Sequence, residues 1–159
     1  MTDGWNPEQY GRLALVRPAT RGRIVDLGCG TGELTVRLHR HVQAGETLGL
    51  DRSATMLSRA PTATGVRFEQ GDIADFSATG SYDIVFANAA LQWVPDHPRL
   101  LTRLAAALRP GGQLAVQVPA NADHASHLVA TDVANEAPFV DAFDGGPPPD
   151  PVQGNVMRP

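Results

Sequence analysis

Residues 24–35 read Ile-Val-Asp-Leu-Gly-Cys-Gly-Thr-Gly-Glu-Leu-Thr. A short apolar run (Ile24, Val25, Leu27) breaks into glycines at Gly28, Gly30 and Gly32, and a helical pattern follows. This is a strand entering a tight loop at a helix N-terminus, where backbone approaches a ligand with no Cβ in the way. The spacing is G-x-G-x-G. The dinucleotide fingerprint needs its third glycine three positions after the second, and Glu33 stands there. An acidic residue in this loop would repel a pyrophosphate, so a ligand with a cationic or zwitterionic group fits better.

Outward from this loop, strand-like runs alternate with helix-like ones. Residues 23–27 read as a first strand and 33–41, with Leu34, Val36 and Leu38, as a helix. A second strand over 47–50 ends at Asp51, and a helix over 53–59 is capped by Ser53. Residues 66–70 form a third strand ending at Gly71-Asp72, and 82–87 a fourth. A longer helix over 98–108 carries Leu100, Leu101, Leu104 and Leu108 on one face. Pro110-Gly111-Gly112 reads as its stop, and 113–118 as a fifth strand. Strands separated by helical crossovers predict an α/β, doubly wound parallel sheet. Ligands of such sheets bind beyond the carboxyl ends of the strands, at the switch point of strand order. The glycine loop, Asp51, Asp72 and Asn88 all fall at or just after those ends, so they are expected to converge in space.

Composition bounds the function. The chain has 159 residues, 42% hydrophobic and 19% charged, as expected for one globular domain over 1–159. A net charge of -4 and a pI near 5.6 argue against nucleic acid as an electrostatic partner. Arginine supplies every basic charge, since the sequence has no lysine. The one cysteine, Cys29, excludes an internal disulfide framework and a cysteine-based zinc site, and its small size inside the glycine loop suits burial better than nucleophilic chemistry. No basic-then-apolar leader and no run of roughly 18 apolar residues is present, so the expectation is a cytoplasmic, membrane-free protein, read as a monomer. Residues 144–151 (Asp-Gly-Gly-Pro-Pro-Pro-Asp-Pro) cannot continue a helix or a central strand, which predicts an irregular segment over 144–159.

The residues at the strand ends have matching chemistry. Asp51, about 20 residues past the glycine loop, is placed to accept both hydroxyls of a ribose; capping the helix near Ser53 is its alternative role. Met56 follows as a flexible apolar side chain able to pack under a ring or into the core. The Asp72 carboxylate would accept from an exocyclic amine while the Ile73 N–H donates to a ring nitrogen, a pair that reads an adenine edge; a turn aspartate is the alternative. Asp26 would orient the loop or face a cationic amine. No partner for it is evident in the neighbouring sequence, and a buried carboxylate without one is costly.

Together these motifs resemble the Rossmann-like S-adenosylmethionine-dependent methyltransferases. The likeness runs from Arg23 to Pro119: Val25-Asp26-Leu27-Gly28-Cys29-Gly30-Thr31-Gly32, then Asp51, Gly71-Asp72-Ile73, Tyr82-Asp83-Ile84-Val85 and Leu108-Arg109-Pro110-Gly111-Gly112. The resemblance implies a sheet order 3-2-1-4-5 and S-adenosylmethionine as cofactor, with S-adenosylhomocysteine as product. The residues it assigns to the cofactor are Asp26, Gly28, Cys29, Gly30, Gly32, Asp51, Arg52, Met56, Asp72, Ile73 and Asn88. No metal is implied. Finer likeness, in Trp5-Asn6-Pro7-Glu8-Gln9-Tyr10, Arg17-Pro18-Ala19, Asn88-Ala89-Ala90-Leu91-Gln92-Trp93-Val94 and Val116-Gln117-Val118-Pro119-Ala120-Asn121 with Ser126-His127, is to the trans-aconitate methyltransferases. It implies a small carboxylic acid as acceptor, with Trp5, Asn6, Tyr10, Gln92 and Trp93 covering the methyl-transfer site from the segment 1–22 and the fourth-strand loop. Arg17 or His127 would hold a substrate carboxylate.

Two departures stand out. The segment between Ala19 and Arg23 is shorter than in the family, and the family continues past Pro159 with two antiparallel edge strands, so the expectation is a shortened chain. Rival readings share the cofactor motifs: a methyltransferase with another small acceptor, or a non-catalytic S-adenosylmethionine-binding module. A nicotinamide dehydrogenase would share the architecture, but the missing third glycine opposes it.

Overall fold

The computed structural model describes Leu13, residues 16–119, Val129 and residues 132–142. Compactness divides the chain into residues 1–118 and residues 119–159. In the second unit the described residues include a 3-10 turn, Val140–Ala142. The expected irregular segment 144–159 lies outside the described residues.

The first unit carries a five-stranded parallel sheet: β1 (Arg23–Leu27), β2 (Glu46–Asp51), β3 (Val66–Gln70), β4 (Tyr82–Asn88) and β5 (Leu108–Gln117). Its order is β3-β2-β1-β4-β5, with β1 central. Helix α1 (Glu33–His41) joins β1 to β2, α2 (Ala54–Leu57) follows β2, and α3 (His97–Ala106) joins β4 to β5. The alternation of buried side chains along β1 splits the core in two. Val25 and Leu27 face a cluster with Leu48, Leu50, Val85 and Ala87, covered by Leu100 and Leu104 of α3. Ile24 faces the other, with Ile84, Phe86 and Val16, covered by Leu38 of α1. Both faces of the central strand are therefore sealed from water, with Asp26 a buried carboxyl among the apolar residues. No helix among the described residues is long and apolar enough to cross a membrane.

Beyond one-residue differences at the ends of β2, β4 and β5, three elements differ from the sequence reading. Helix α2 is a single turn, begun by Ser53, whose hydroxyl accepts from Met56 N at 3.2 Å. Helix α3 starts at His97, capped by Asp96, and ends at Ala106. The Pro110-Gly111-Gly112 stretch belongs to β5 instead of terminating a helix. An outermost strand needs donors on one side only, so it tolerates proline and glycine. The pairing breaks here into a bulge, with Tyr82 opposite Leu108 and Ile84 opposite Gln113. The Asp83 carboxylate sits at the break, accepting from Arg23 N at 2.7 Å and pairing with Arg109 at 2.9 Å.

The glycine turn fixes how β1 meets α1. Gly28 has φ +75°, and a Cβ there would lie 2.3 Å from the Ala90 Cβ; Gly30 has φ +57° with nothing within 4 Å. Gly28→Ala should therefore cost roughly 2–5 kcal/mol, left-handed strain plus a clash, while Gly30→Ala should cost only the strain of about 1–2 kcal/mol. Urea unfolding of the two variants checks this, and equal losses would contradict the packing described.

Candidate active site

A cleft of about 570 Å³ opens where the carboxyl ends of β1, β2, β3 and β4 meet. It is built first from backbone. Gly28 N and Cys29 N both donate to the Leu50 carbonyl, at 2.8 and 3.1 Å, folding the glycine loop across the end of β2. Gly30 N donates to Asp51 Oδ2 at 2.8 Å. The other oxygen, Oδ1, accepts from Ser53 N at 2.8 Å, so Asp51 also shapes the entry to α2. Each carboxylate oxygen keeps a second lone pair for a ligand hydroxyl.

The opposite wall comes from the β3–β4 connection. Asp72 Oδ1 accepts from Ala74 N at 2.8 Å, which makes a turn whose Asp72, Ile73 and Ala74 line the cleft. The Ile73 side chain is buried beneath the glycine loop, its Cδ1 3.4 Å from where a Gly28 Cβ would be. Met56 and Trp93, 44% and 64% exposed, stand at the rim with Arg52.

Gly28, Gly30, Asp51, Arg52, Met56, Asp72, Ile73 and Trp93, named from the sequence, thus line one cleft. Others stand behind it. Gly32 is the left-handed cap of α1 and packs against Phe68. Asn88 ends β4 with its Oδ1 buried and without a hydrogen-bond partner among the described residues. Gln92 is buried in the 3-10 turn Leu91–Trp93, its Nε2 donating to the Ala89 carbonyl at 2.8 Å. Arg17 is placed elsewhere. Its N–H and carbonyl bond the Gln113 side chain at 3.0 and 3.2 Å. Gln113 pairs with Ile84, four residues before Asn88 and so roughly 13 Å from the carboxyl edge at ~3.3 Å per residue. The backbone tie that pins Arg17 there is invisible in the sequence. Trp5, Asn6, Tyr10 and His127 lie outside the described residues. Ser53, Ala74, Ala89, Ala90, Val94 and Pro95 also line the cleft; the sequence reading gave them no site role, since all but Ser53 are small or apolar with no chemical signature and Ser53 reads as a helix cap.

Asp26 does have a partner. Thr35 Oγ1, in the first turn of α1, donates to its Oδ2 at 2.7 Å. The short glycine loop folds the helix back over the strand, which brings together residues nine apart. Burial raises the Asp26 carboxyl to about 7, against the lowering effect of the Thr35 bond and with a further rise from Asp51. Burial, with Asp26 and Asp51 nearby, likewise pushes the Cys29 thiol up to about 12, which leaves it a protonated packing group.

The folded state holds the Asp26 proton more tightly than the unfolded chain, so this residue's contribution to stability is greatest below pH ~4 and is lost as pH rises toward 7. Asp26→Asn should flatten that loss and raise stability at pH 8 relative to wild type, by up to about 4 kcal/mol at ~1.4 kcal/mol per pH unit. Thermal unfolding from pH 4 to 8 measures it; parallel curves for both proteins would show that burial does not perturb the group.

Comparison with known proteins agrees with this geometry. A family described as "Methyltransferase domain" matches residues 24–112. The trans-aconitate 2-methyltransferase of Deinococcus radiodurans is 51% identical over 146 residues, covering 83% of this chain and 56% of that protein. That of Methylobacterium nodulans is 48% identical over 128 residues, covering 80% and 50%. Among solved structures, an S-adenosylmethionine dependent methyltransferase from Mesorhizobium loti superposes with TM-score 0.61 at 36% identity, over 66% of this chain and 49% of that one. One from Thiobacillus denitrificans, in complex with S-adenosyl-L-homocysteine, gives TM-score 0.60 at 26% identity over 73% and 50%. The chain spans about half the length of the curated relatives it matches.

Proposed function

Since the chain belongs to the methyltransferase domain family, we propose that its cleft binds S-adenosylmethionine and serves methyl transfer to a carboxylate of a small polycarboxylic acid such as trans-aconitate. The observation that carries the cofactor assignment is the single cleft uniting Gly30, Asp51, Asp72 and Ile73. The residues present suit the group. Open space above Gly30 leaves room for its amino-acid part, and Asn88 Oδ1, buried behind the cleft and without a hydrogen-bond partner among the described residues, would accept from an ammonium donor once turned toward it. Asp51 would take the ribose hydroxyls, while Asp72 and the Ile73 N–H would take the adenine edge. Met56 would pack under a ring, and the Gly28–Gly32 turn, with Cys29 and Asp26 behind it, fixes the shape of the floor. When bound, the cofactor supplies an electrophilic methyl on a sulfonium.

The carboxylate of an acceptor is already ionised at neutral pH, so no general base is required of the chain. Its residues need only hold the acceptor in line and exclude water. The exposed Trp93 and Pro95 suit that covering role, with Val94 buried beneath them. What favours trans-aconitate is the 51% and 48% identity to enzymes bearing that name. Trp5, Asn6, Tyr10, Gln92 and His127 stay in the proposal as acceptor-side residues by subfamily likeness; Arg17 is the weaker choice, since its backbone is anchored away from the cleft. A net charge of -4 favours a small-molecule partner over nucleic acid, and a cytoplasmic monomer is part of the same proposal.

Radiolabelled methyl transfer to trans-aconitate, beside citrate, isocitrate and a fatty acid, tests the acceptor. Trans-aconitate should be labelled fastest, and preference for another acid would overturn that assignment. Asp51→Ala should weaken S-adenosylhomocysteine binding by about 1.5–3 kcal/mol, the range for hydrogen bonds to a charged group. Unchanged affinity would remove Asp51 from the site.

A further inference from the structure

The turn that would read adenine has an anchor on a distant helix. Within residues 72–76 its own bonds are local: Asp72 Oδ1 accepts from Ala74 N at 2.8 Å, Asp75 N donates to the Asp72 carbonyl at 3.1 Å, and Phe76 N donates to the Ile73 carbonyl at 3.2 Å. A bond of a different kind comes from α3, where Arg103 Nη2 donates to the same Ile73 carbonyl at 3.2 Å across 30 residues of sequence. The Ile73 carbonyl and Ala74 N belong to one peptide unit. That unit is gripped from both ends, its oxygen by the Arg103 guanidinium and its N–H by the Asp72 carboxylate. A cation on the oxygen polarises the peptide and strengthens the N–H as a donor, so the two bonds support each other.

The energetics of Arg103 point away from a purely structural role. It flanks the face of α3 that carries the buried Leu100 and Leu104, and its Nε is buried without a partner among the described residues. A half-buried guanidinium with an unsatisfied donor is a poor stabiliser, and an apolar chain of similar size would pack there at lower cost. Departures from good packing that adjoin a site are where function is expected.

We propose that Arg103 is a positioning residue for adenine recognition: by fixing the Ile73–Ala74 peptide it sets the direction of the Asp72 carboxylate and of the Ile73 N–H. The inference rests on the reading of the cleft as an S-adenosylmethionine site. It concerns selectivity among bases as well as affinity. In S-inosylhomocysteine the exocyclic amine is replaced by a carbonyl, and the ring nitrogen facing Ile73 carries a proton. A correctly aimed Asp72–Ile73 pair therefore rejects that analogue.

The test is calorimetric titration of wild type, Arg103→Met and Arg103→Lys with S-adenosylhomocysteine and with S-inosylhomocysteine, alongside thermal unfolding. Wild type should prefer the adenine compound. Arg103→Met should bind it about tenfold more weakly, the scale of one lost hydrogen bond, and its preference over the inosine compound should shrink by a similar factor. Unfolding temperature should be unchanged or higher, and Arg103→Lys should retain part of the preference. An undiminished ratio in Arg103→Met overturns the proposal. Should that variant fail to fold, an undiminished ratio in Arg103→Lys does the same. Wild type that binds neither compound, or both equally, would instead sink the reading of the cleft, and this inference with it.

Discussion

The hydrogen bond from Gly30 N to Asp51 Oδ2, 2.8 Å long, joins the loop after β1 to the end of β2, and the rest of the site depends on it. Parallel pairing brings the carboxyl ends of neighbouring strands level, with Leu27 beside Leu50. Without a further constraint the loop after β1 would be free to lift away. Two donors on the Leu50 carbonyl and one on Asp51 hold it down. That path requires left-handed backbone at Gly28, Gly30 and Gly32, where a side chain costs about 1–2 kcal/mol each. The glycine spacing and the acid after the second strand are thus two halves of one constraint, and α1 and α2 start where they do because of it.

Charge is the second organising term. Asp26 is buried and Asp51 half-buried, and each raises the electrostatic cost of ionising its neighbours; both act on Cys29 and Asp51 acts on Asp26. A concentration of carboxylates around a glycine turn disfavours a pyrophosphate and favours a cationic guest.

Local signals were legible where one residue decides an outcome. The first strand, α1 and the third strand have the bounds read from apolar runs closed by glycine, and Ser53 caps α2 as its side chain predicts. The residues at the strand ends were legible because the parallel topology places them together. What was not legible depends on long-range partners. The start of β5 was obscured because Pro110-Gly111-Gly112 reads as a stop until its place at the sheet edge is known. Thr35 beneath Asp26, Gln113 holding Arg17, and Arg103 behind Ile73 are contacts across 9, 96 and 30 residues. No periodicity announces them.

Calorimetric titration of the wild-type chain with S-adenosylhomocysteine and, separately, with NAD tests whether the clamped glycine loop and Asp51 form a site for a sulfonium nucleoside. Saturable one-to-one binding of S-adenosylhomocysteine is expected, with much weaker binding of NAD, whose pyrophosphate would lie against the acidic loop. Equal or tighter binding of NAD would contradict that assignment.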